Sequence, residues 1–250
     1  MAENKLKDVV RFEGLSQYRV PLSYELAKKK FYFVFDAGKE LLVDFMDGET
    51  LSYTMDGETF IQKYEALKAD ETIYMVLSEK KGAKPREAFI LVFDTAKRLV
   101  TGDFMKQGAV ATYEKLVTRE VRFGYIAVAG KKVPTERHAY TEDLVGKTFE
   151  WTYNPDVKVK HFYDTKDTYH YEMPMPDGTT MSYEEKVIYV KLNDYMYIFS
   201  FIEENEGTGT EGFLVMNVDR MSDVGCFWGV NGEDKPEAYC FAAYGKVIEG

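Results

Sequence analysis

The sequence predicts an all-β protein: two tandem antiparallel β-barrels or half-barrels produced by internal duplication. Three observations carry that expectation. Residues 26–55 align without a gap on residues 144–173, so that Phe31 meets Phe149, Phe33 meets Trp151, Phe35 meets Tyr153 and Tyr53 meets Tyr171. Apolar and polar residues alternate with the period of a strand in both copies. Aromatic residues make up 15 % of the chain, with 19 Tyr and 17 Phe, and such flat, stiff side chains pack well on a pleated surface.

Each copy opens in the same way. Ser23 and Thr141 are N-cap residues placed before one short turn. Phe31, Phe33 and Phe35 then alternate with Tyr32 and Val34, as Phe149, Trp151 and Tyr153 do with Glu150 and Thr152. DAG and NPD supply the first hairpin turns, LLVDF and VKVKHFY the second strands, and MDGE, TKD and MPDG the turns that follow. Further on, ETIYMVLSE resembles DYMYIFSFIEE, and FILVFD from Phe89 resembles FLVMNVD from Phe213. GAVATYEKLVTREVRFGYIAVAG reads as two more strand-like runs. A period this long exceeds that of a solenoid and marks a duplicated module. Short strands joined by tight turns suggest a sheet that curls on itself, since closure removes exposed edges. Helix is expected only as short turns near Ser23, at residues 64–69 and near Thr141. The expected division is an N-terminal arm at 1–20, a first β-barrel module at 21–130, a polar linker with Pro134 at 131–140 and a second module at 141–250.

The 250 residues carry a formal net charge of −10. Such a surface repels phosphate backbones and anionic lipid, so neither nucleic acid nor membrane is an expected partner. No apolar run approaches the ~18 residues of a membrane span, and residues 1–14 show no signal-peptide pattern. Cys226 and Cys240, both in apolar strand-like settings, are expected as free, buried thiols of a cytoplasmic protein. Oligomeric state leaves no mark in the sequence, and a homodimer stays open.

Most chemical signatures are missing. Three histidines, with no HxH, HExxH or CxxC, give no expectation of a metal. His138 is expected to be a solvated linker residue, while strand periodicity turns His161 inward and His170 outward. EGTGTEG at 206–212 lacks the lysine and helix of a phosphate loop and is expected to be a hairpin loop at a barrel lip. No GxSxG nucleophile elbow occurs.

The layout of N-capped turn, L-x-G-K-x-F, aromatic strand and NP or DxG turn resembles the molybdenum cofactor biosynthesis protein F (MoaF) family. That resemblance implies two related halves over most of the chain and a calycin- or lipocalin-like barrel. The second module is also similar to phenolic acid decarboxylases, lipocalin-like barrels that work without a cofactor. In those proteins two first-strand tyrosines, a carboxylate on a later strand and an arginine form the site. Here Tyr153 matches the second tyrosine, Trp151 replaces the first, Glu203 falls at the carboxylate, and the arginine has no counterpart in MPMPDGTTMSYEE. Phenolic acid decarboxylation itself is therefore not expected, because a carboxylate substrate would lack its bidentate anchor.

Tyr, His and Glu on strands are what remains. Tyr153, His161, Tyr163, Tyr171 and Glu203 project toward one barrel interior if the aromatic faces turn in. A desolvated Glu203, or His161 near neutral pH, would move a proton, and Tyr153 would take part. Trp151, Tyr163, Tyr169 and Tyr171 would hold a small hydrophobic or aromatic molecule. Comparing the copies isolates the polar differences: Trp151 and Tyr153 against Phe33 and Phe35, His161 against Val43, and Tyr169 against Leu51. The expected function is a cofactor-independent lyase or isomerase acting by acid–base chemistry. Its alternatives are a non-catalytic small-molecule carrier, and a structural protein whose barrels are filled by side chains.

Overall fold

The computed structural model describes residues 13–36, 38–108, 115–204, 209–231 and 235–248. One compact unit comprises Pro21–Thr112 and Thr118–Ala139; the other comprises Met1–Val20, Tyr113–Val117 and Tyr140–Gly250.

The first sheet contains β1 (Lys30–Phe35), β2 (Glu40–Phe45), β3 (Thr50–Met55), β4 (Glu58–Lys63), β5 (Glu65–Lys68), β6 (Ile73–Lys80), β7 (Arg86–Asp94), β8 (Leu99–Gln107) and β9 (Val117–Ala127). Its order is β4-β3-β2-β1-β9-β8-β7-β6-β5. The two end strands are consecutive in the chain and separated only by Tyr64, whose hydroxyl donates to Asp47 O at 2.9 Å. Residues 64–69, expected as a helical turn, instead carry β5. Pairing with β6 over four residues overrides the local signal.

After a two-residue strand β10 (Ala139–Tyr140) come β11 (Thr148–Asn154), β12 (Val157–Phe162), β13 (Thr168–Pro174), β14 (Thr180–Lys191), β15 (Met196–Ile202), β16 (Glu211–Asn217), β17 (Ser222–Val230) and β18 (Pro236–Val247). Here the order is β10-β14-β13-β12-β11-β18-β17-β16-β15, and β14 also pairs with β15. The eight strands β11–β18 therefore close into an antiparallel barrel. Apart from β10, the orders match strand for strand when β4 and β5 together take the place of β14.

Local chemistry repeats as well. Asp47 accepts from Glu49 and Thr50 N, and Thr165 from Asp167 and Thr168 N, at the equivalent turn. Arg98 and Met221, both at positive φ, end equivalent turns that open with Asp94 and Asn217. That registration places Phe89 over Gly212 rather than over Phe213, one residue away from the match read in sequence. Phe89 faces Ser78 across its strand pair, and Gly212 faces Phe201. A ring on Phe201 fills the space that a ring on Phe89 fills in the first barrel, since a Cβ on Gly212 would lie 2.2 Å from the Phe201 ring.

Each barrel interior is an aromatic core. Phe33, Phe35, Phe45 and Phe93 anchor the first, and Trp151, Tyr163, Phe199 and Phe241 the second. Cys226 and Cys240 are buried and directly opposite each other on β17 and β18. The linker residue His138 is not solvated. It is 2 % exposed and its Nδ1 lies 2.8 Å from Thr101 Oγ1 on β8. Arg137 binds Asp36 and Arg98 binds Lys132 O, so this stretch is fastened to the first sheet by hydrogen bonds. Parts of EGTGTEG and of GAVATYEK, and the first twelve residues, lie outside the described residues. Among the described residues no helix is long and apolar enough to cross a membrane.

One packing exchange between the repeats is testable. Trp151 lies opposite Gly245, where the first barrel sets Phe33 opposite Ile126. A Cβ on Gly245 would sit 2.7 Å from the Trp151 ring. Gly245→Ala is expected to destabilise the protein by ~1–3 kcal/mol through overpacking. Trp151→Phe in the same chain should recover most of that loss, and urea unfolding of the two single variants and the double variant measures the coupling.

Candidate functional site

At one end of the second barrel, where β11 and β15 run out and β12 begins, lies a cavity of about 60 Å3. Tyr153, His161, Tyr169, Tyr171 and Glu203 all line it. Register explains the gathering. Phe149, His161 and Tyr171 are direct neighbours across β11, β12 and β13, and the period of two points them to the same face. Glu203 follows β15 directly, and its N–H donates to Thr210 O at 2.9 Å. It is 8 % exposed, whereas the adjacent Glu204 pairs with Lys186 at 3.0 Å.

Trp151 and Tyr163 are not among the side chains lining the cavity. They hold each other deeper in the core, with Trp151 Nε1 donating to Tyr163 Oη at 3.3 Å and Tyr163 Oη facing Met216 Sδ at 3.5 Å. His170 points away, stacked on Phe162 with its Nδ1 2.7 Å from Asp164.

His161 is the unusual member. It is 4 % exposed and set among the rings of Tyr163, Tyr169 and Phe199, with centroids 6.2, 5.5 and 5.4 Å away. Its Nδ1 has no hydrogen-bond partner. Burial with no compensating charge pushes its pKa down to about 3, so the ring is neutral at physiological pH. The near-neutral proton exchange expected of an ordinary histidine does not follow in this setting. His161 is instead a neutral hydrogen-bonding group. Burial, with Asp223 nearby, drives the Tyr153 phenol well above its usual range, so it too is neutral.

Two polar groups escaped the sequence reading. Asp223 is buried at the position that Val100 holds in the first barrel. Its Oδ1 accepts from Ala243 N at 2.7 Å, its Oδ2 has no partner, and burial raises its pKa well above that of an ordinary carboxyl. Tyr239 packs on Phe227, which lines the cavity, and its hydroxyl is buried without a partner. The available signal was strand parity: Asp223, Gly225 and Phe227 share one face of β17, which is the inner one.

The remaining wall comes from the N-terminal arm. A 3-10 turn, Glu13–Ser16, packs on β11 and β18, and Leu15 from that turn lines the cavity with 7 % of its surface exposed. Tyr18 packs against Tyr244, the rings tilted and their centroids 5.8 Å apart. Among the described residues no group of three or more His, Cys, Asp or Glu is arranged to hold a metal ion.

Fold and site together define a two-domain, duplicated β-barrel protein with a small aromatic cavity in its closed second barrel. The chain belongs to the MoaF family: residues 12–104 match the MoaF N-terminal domain and residues 138–249 the MoaF C-terminal domain. The first match ends inside β8, so β9, which completes the first sheet, lies between the two matched stretches. No curated protein matches the sequence.

The burial of His161 has a pH signature. Its folded pKa is depressed from 6.5 to about 3, so the unfolded state binds more protons between those values. Stability from this source is complete above the unfolded pKa and falls by up to ~1.4 kcal/mol per pH unit as pH drops toward the folded value. His138, depressed to about 4, acts in the same direction. His161→Val, which restores the residue of the first repeat, should flatten the acid limb relative to the parent between about pH 4 and 6.5. At neutral pH it should leave stability unchanged or higher, since an unpaired buried polar group is removed. Urea unfolding of both proteins across this range checks the difference.

Proposed function

We propose that the second barrel binds a small, uncharged, largely aromatic molecule that carries one hydrogen-bonding group. The unpartnered Nδ1 of His161 carries this reading. An unsatisfied buried polar group costs ~1–3 kcal/mol, and the fold does not need one there, because the first barrel has Val43 in the same place. A ligand N–H or O–H would satisfy the imidazole, while Tyr153, Tyr169 and Tyr171 pack on the ligand's ring. At about 60 Å3 the cavity has room for a handful of water molecules. A ring-bearing ligand therefore displaces Leu15, and the arm serves as a stopper for the empty site.

A second reading is favoured by one observation: Glu203 lines the same cavity as Tyr153. With a substrate in place, Glu203 would exchange a proton and Tyr153 would donate a hydrogen bond, giving a cofactor-independent lyase or isomerase. If Glu203→Gln and Tyr153→Phe both leave turnover of an identified substrate intact, that reading fails and binding alone stands.

Indole, an uncharged ring with one N–H, is a suitable probe for ligand-observed NMR with the full chain. Leu15→Ala should tighten indole binding several-fold, and His161→Val should weaken it by about tenfold, the worth of one buried hydrogen bond. Absence of indole binding even to Leu15→Ala, or equal binding by the parent and His161→Val, overturns the proposal. Native mass spectrometry of freshly purified protein then looks for the resident molecule.

A further inference from the structure

The first barrel has its own cavity at the corresponding end, of about 360 Å3. That lies at the lower end of the range of small-molecule sites, roughly 300–1,000 Å3. The frame is the same, with Tyr53 at the place of Tyr171 and Phe104 at the place of Phe227. The chemistry differs. Ser78 stands where the second barrel has Phe201, Lys80 where it has Glu203, and Arg122 where it has Phe241. Five Lys and Arg side chains line this space against three Asp and Glu, in a chain whose net charge is −10.

Arg122 is the center of the arrangement. Its side chain is only 8 % exposed, and its guanidinium lies over the Phe104 ring, 5.0 Å from the centroid. Nε donates to Glu120 Oε1 at 2.8 Å and Nη2 donates to Glu120 Oε2. Among the described residues Nη1 has no hydrogen-bond partner, and Glu120 is itself 60 % exposed. Lys80 and Lys106 meanwhile share a single carboxylate, Glu87, at 3.4 and 3.2 Å. A buried guanidinium with one solvated partner, beside two ammonium groups on one carboxylate, leaves local positive charge uncompensated. Tyr53, Met55 and Phe89 complete an apolar wall.

We propose that the first barrel is a second binding site, for a small organic monoanion: a carboxylate on an apolar body, anchored by Arg122. A carboxylate matches the planar guanidinium edge and shares it with Glu120. Lys80 and Lys106 supply the remaining field, and the apolar wall takes the body of the ligand. A phosphate dianion is disfavoured, because the Glu87 and Glu120 carboxylates line the same space.

Benzoate tests this, with benzamide as its uncharged counterpart, by calorimetry and protein-observed NMR on the full chain. Benzoate should bind and benzamide should bind more weakly. Arg122→Met should reduce benzoate affinity by about tenfold or more, the worth of a hydrogen bond to a charged group, and leave benzamide unchanged. His161→Val should leave benzoate binding intact, which separates this site from the one in the second barrel. If circular dichroism shows Arg122→Met to be unfolded, the Lys80→Met/Lys106→Met double variant should weaken benzoate in the same direction. Equal binding of benzoate and benzamide, no benzoate binding at millimolar concentration, an unaltered affinity in folded Arg122→Met, or stronger competition by inorganic phosphate each overturns the proposal.

Discussion

Closure of the sheet is the constraint on which the second domain depends. β14 pairs with β13 through Thr180–Lys186 and with β15 through Lys186–Lys191, so the sheet joins its own ends and most inward side chains face other side chains instead of water. Backbone groups are satisfied by the ladder, so the interior is free to be apolar. It is also costly for any polar group placed there, since a buried donor or acceptor must find a partner inside the barrel. Trp151 and Tyr163 meet that demand by bonding to each other. His161 Nδ1, Asp223 Oδ2 and the Tyr239 hydroxyl do not. In a closed barrel such groups stand out against a fold that has no use for them.

Duplication supplies an internal control for that argument. The first sheet holds Val43 and Val100 at the positions of His161 and Asp223, both fully buried in its apolar core. Side-chain volume is traded elsewhere between facing positions. Phe33 opposite Ile126 becomes Trp151 opposite Gly245, and Ser78 opposite Phe89 becomes Phe201 opposite Gly212. These exchanges conserve filling and belong to packing. Replacement of valine by histidine or aspartate conserves nothing that packing needs.

Much of this was legible in the sequence, and the rest was hidden for identifiable reasons. The strands β1–β3 and β11–β13 alternate cleanly, because one face is buried and the other half-exposed, and there the gapless match and the inward side of His161 followed from parity alone. The strands β6, β7, β15 and β16 are buried on both faces over most of their length. Apolar residues then run continuously and parity is silent, which is why Phe89 was set against Phe213 when the register requires Gly212. His138 defeated the reading differently. A polar stretch with a proline looks like solvent-exposed linker, but the bond to Thr101 and the Arg137–Asp36 pair fasten it to the first sheet across a long sequence separation. Asp223 lies in an apolar strand-like stretch with Cys226, where a single carboxylate does not stand out.

The two barrels therefore put opposite chemistry on one scaffold. At equivalent ends, the second is lined by rings around a neutral imidazole and covered by Leu15, and the first is lined by lysines and a buried arginine. Electrostatics explains why such a division is stable. Arg122 is tolerated at a position where the frame accepts Phe241 because Glu120, itself 60 % exposed, pairs with its guanidinium. His161 has no such charged partner among the described residues, so burial strips its charge. A neutral imidazole offers a hydrogen bond without a charge, whereas a guanidinium that keeps its charge favours an anion. Burial and the presence of a charged partner thus decide which of the two polar side chains keeps its charge.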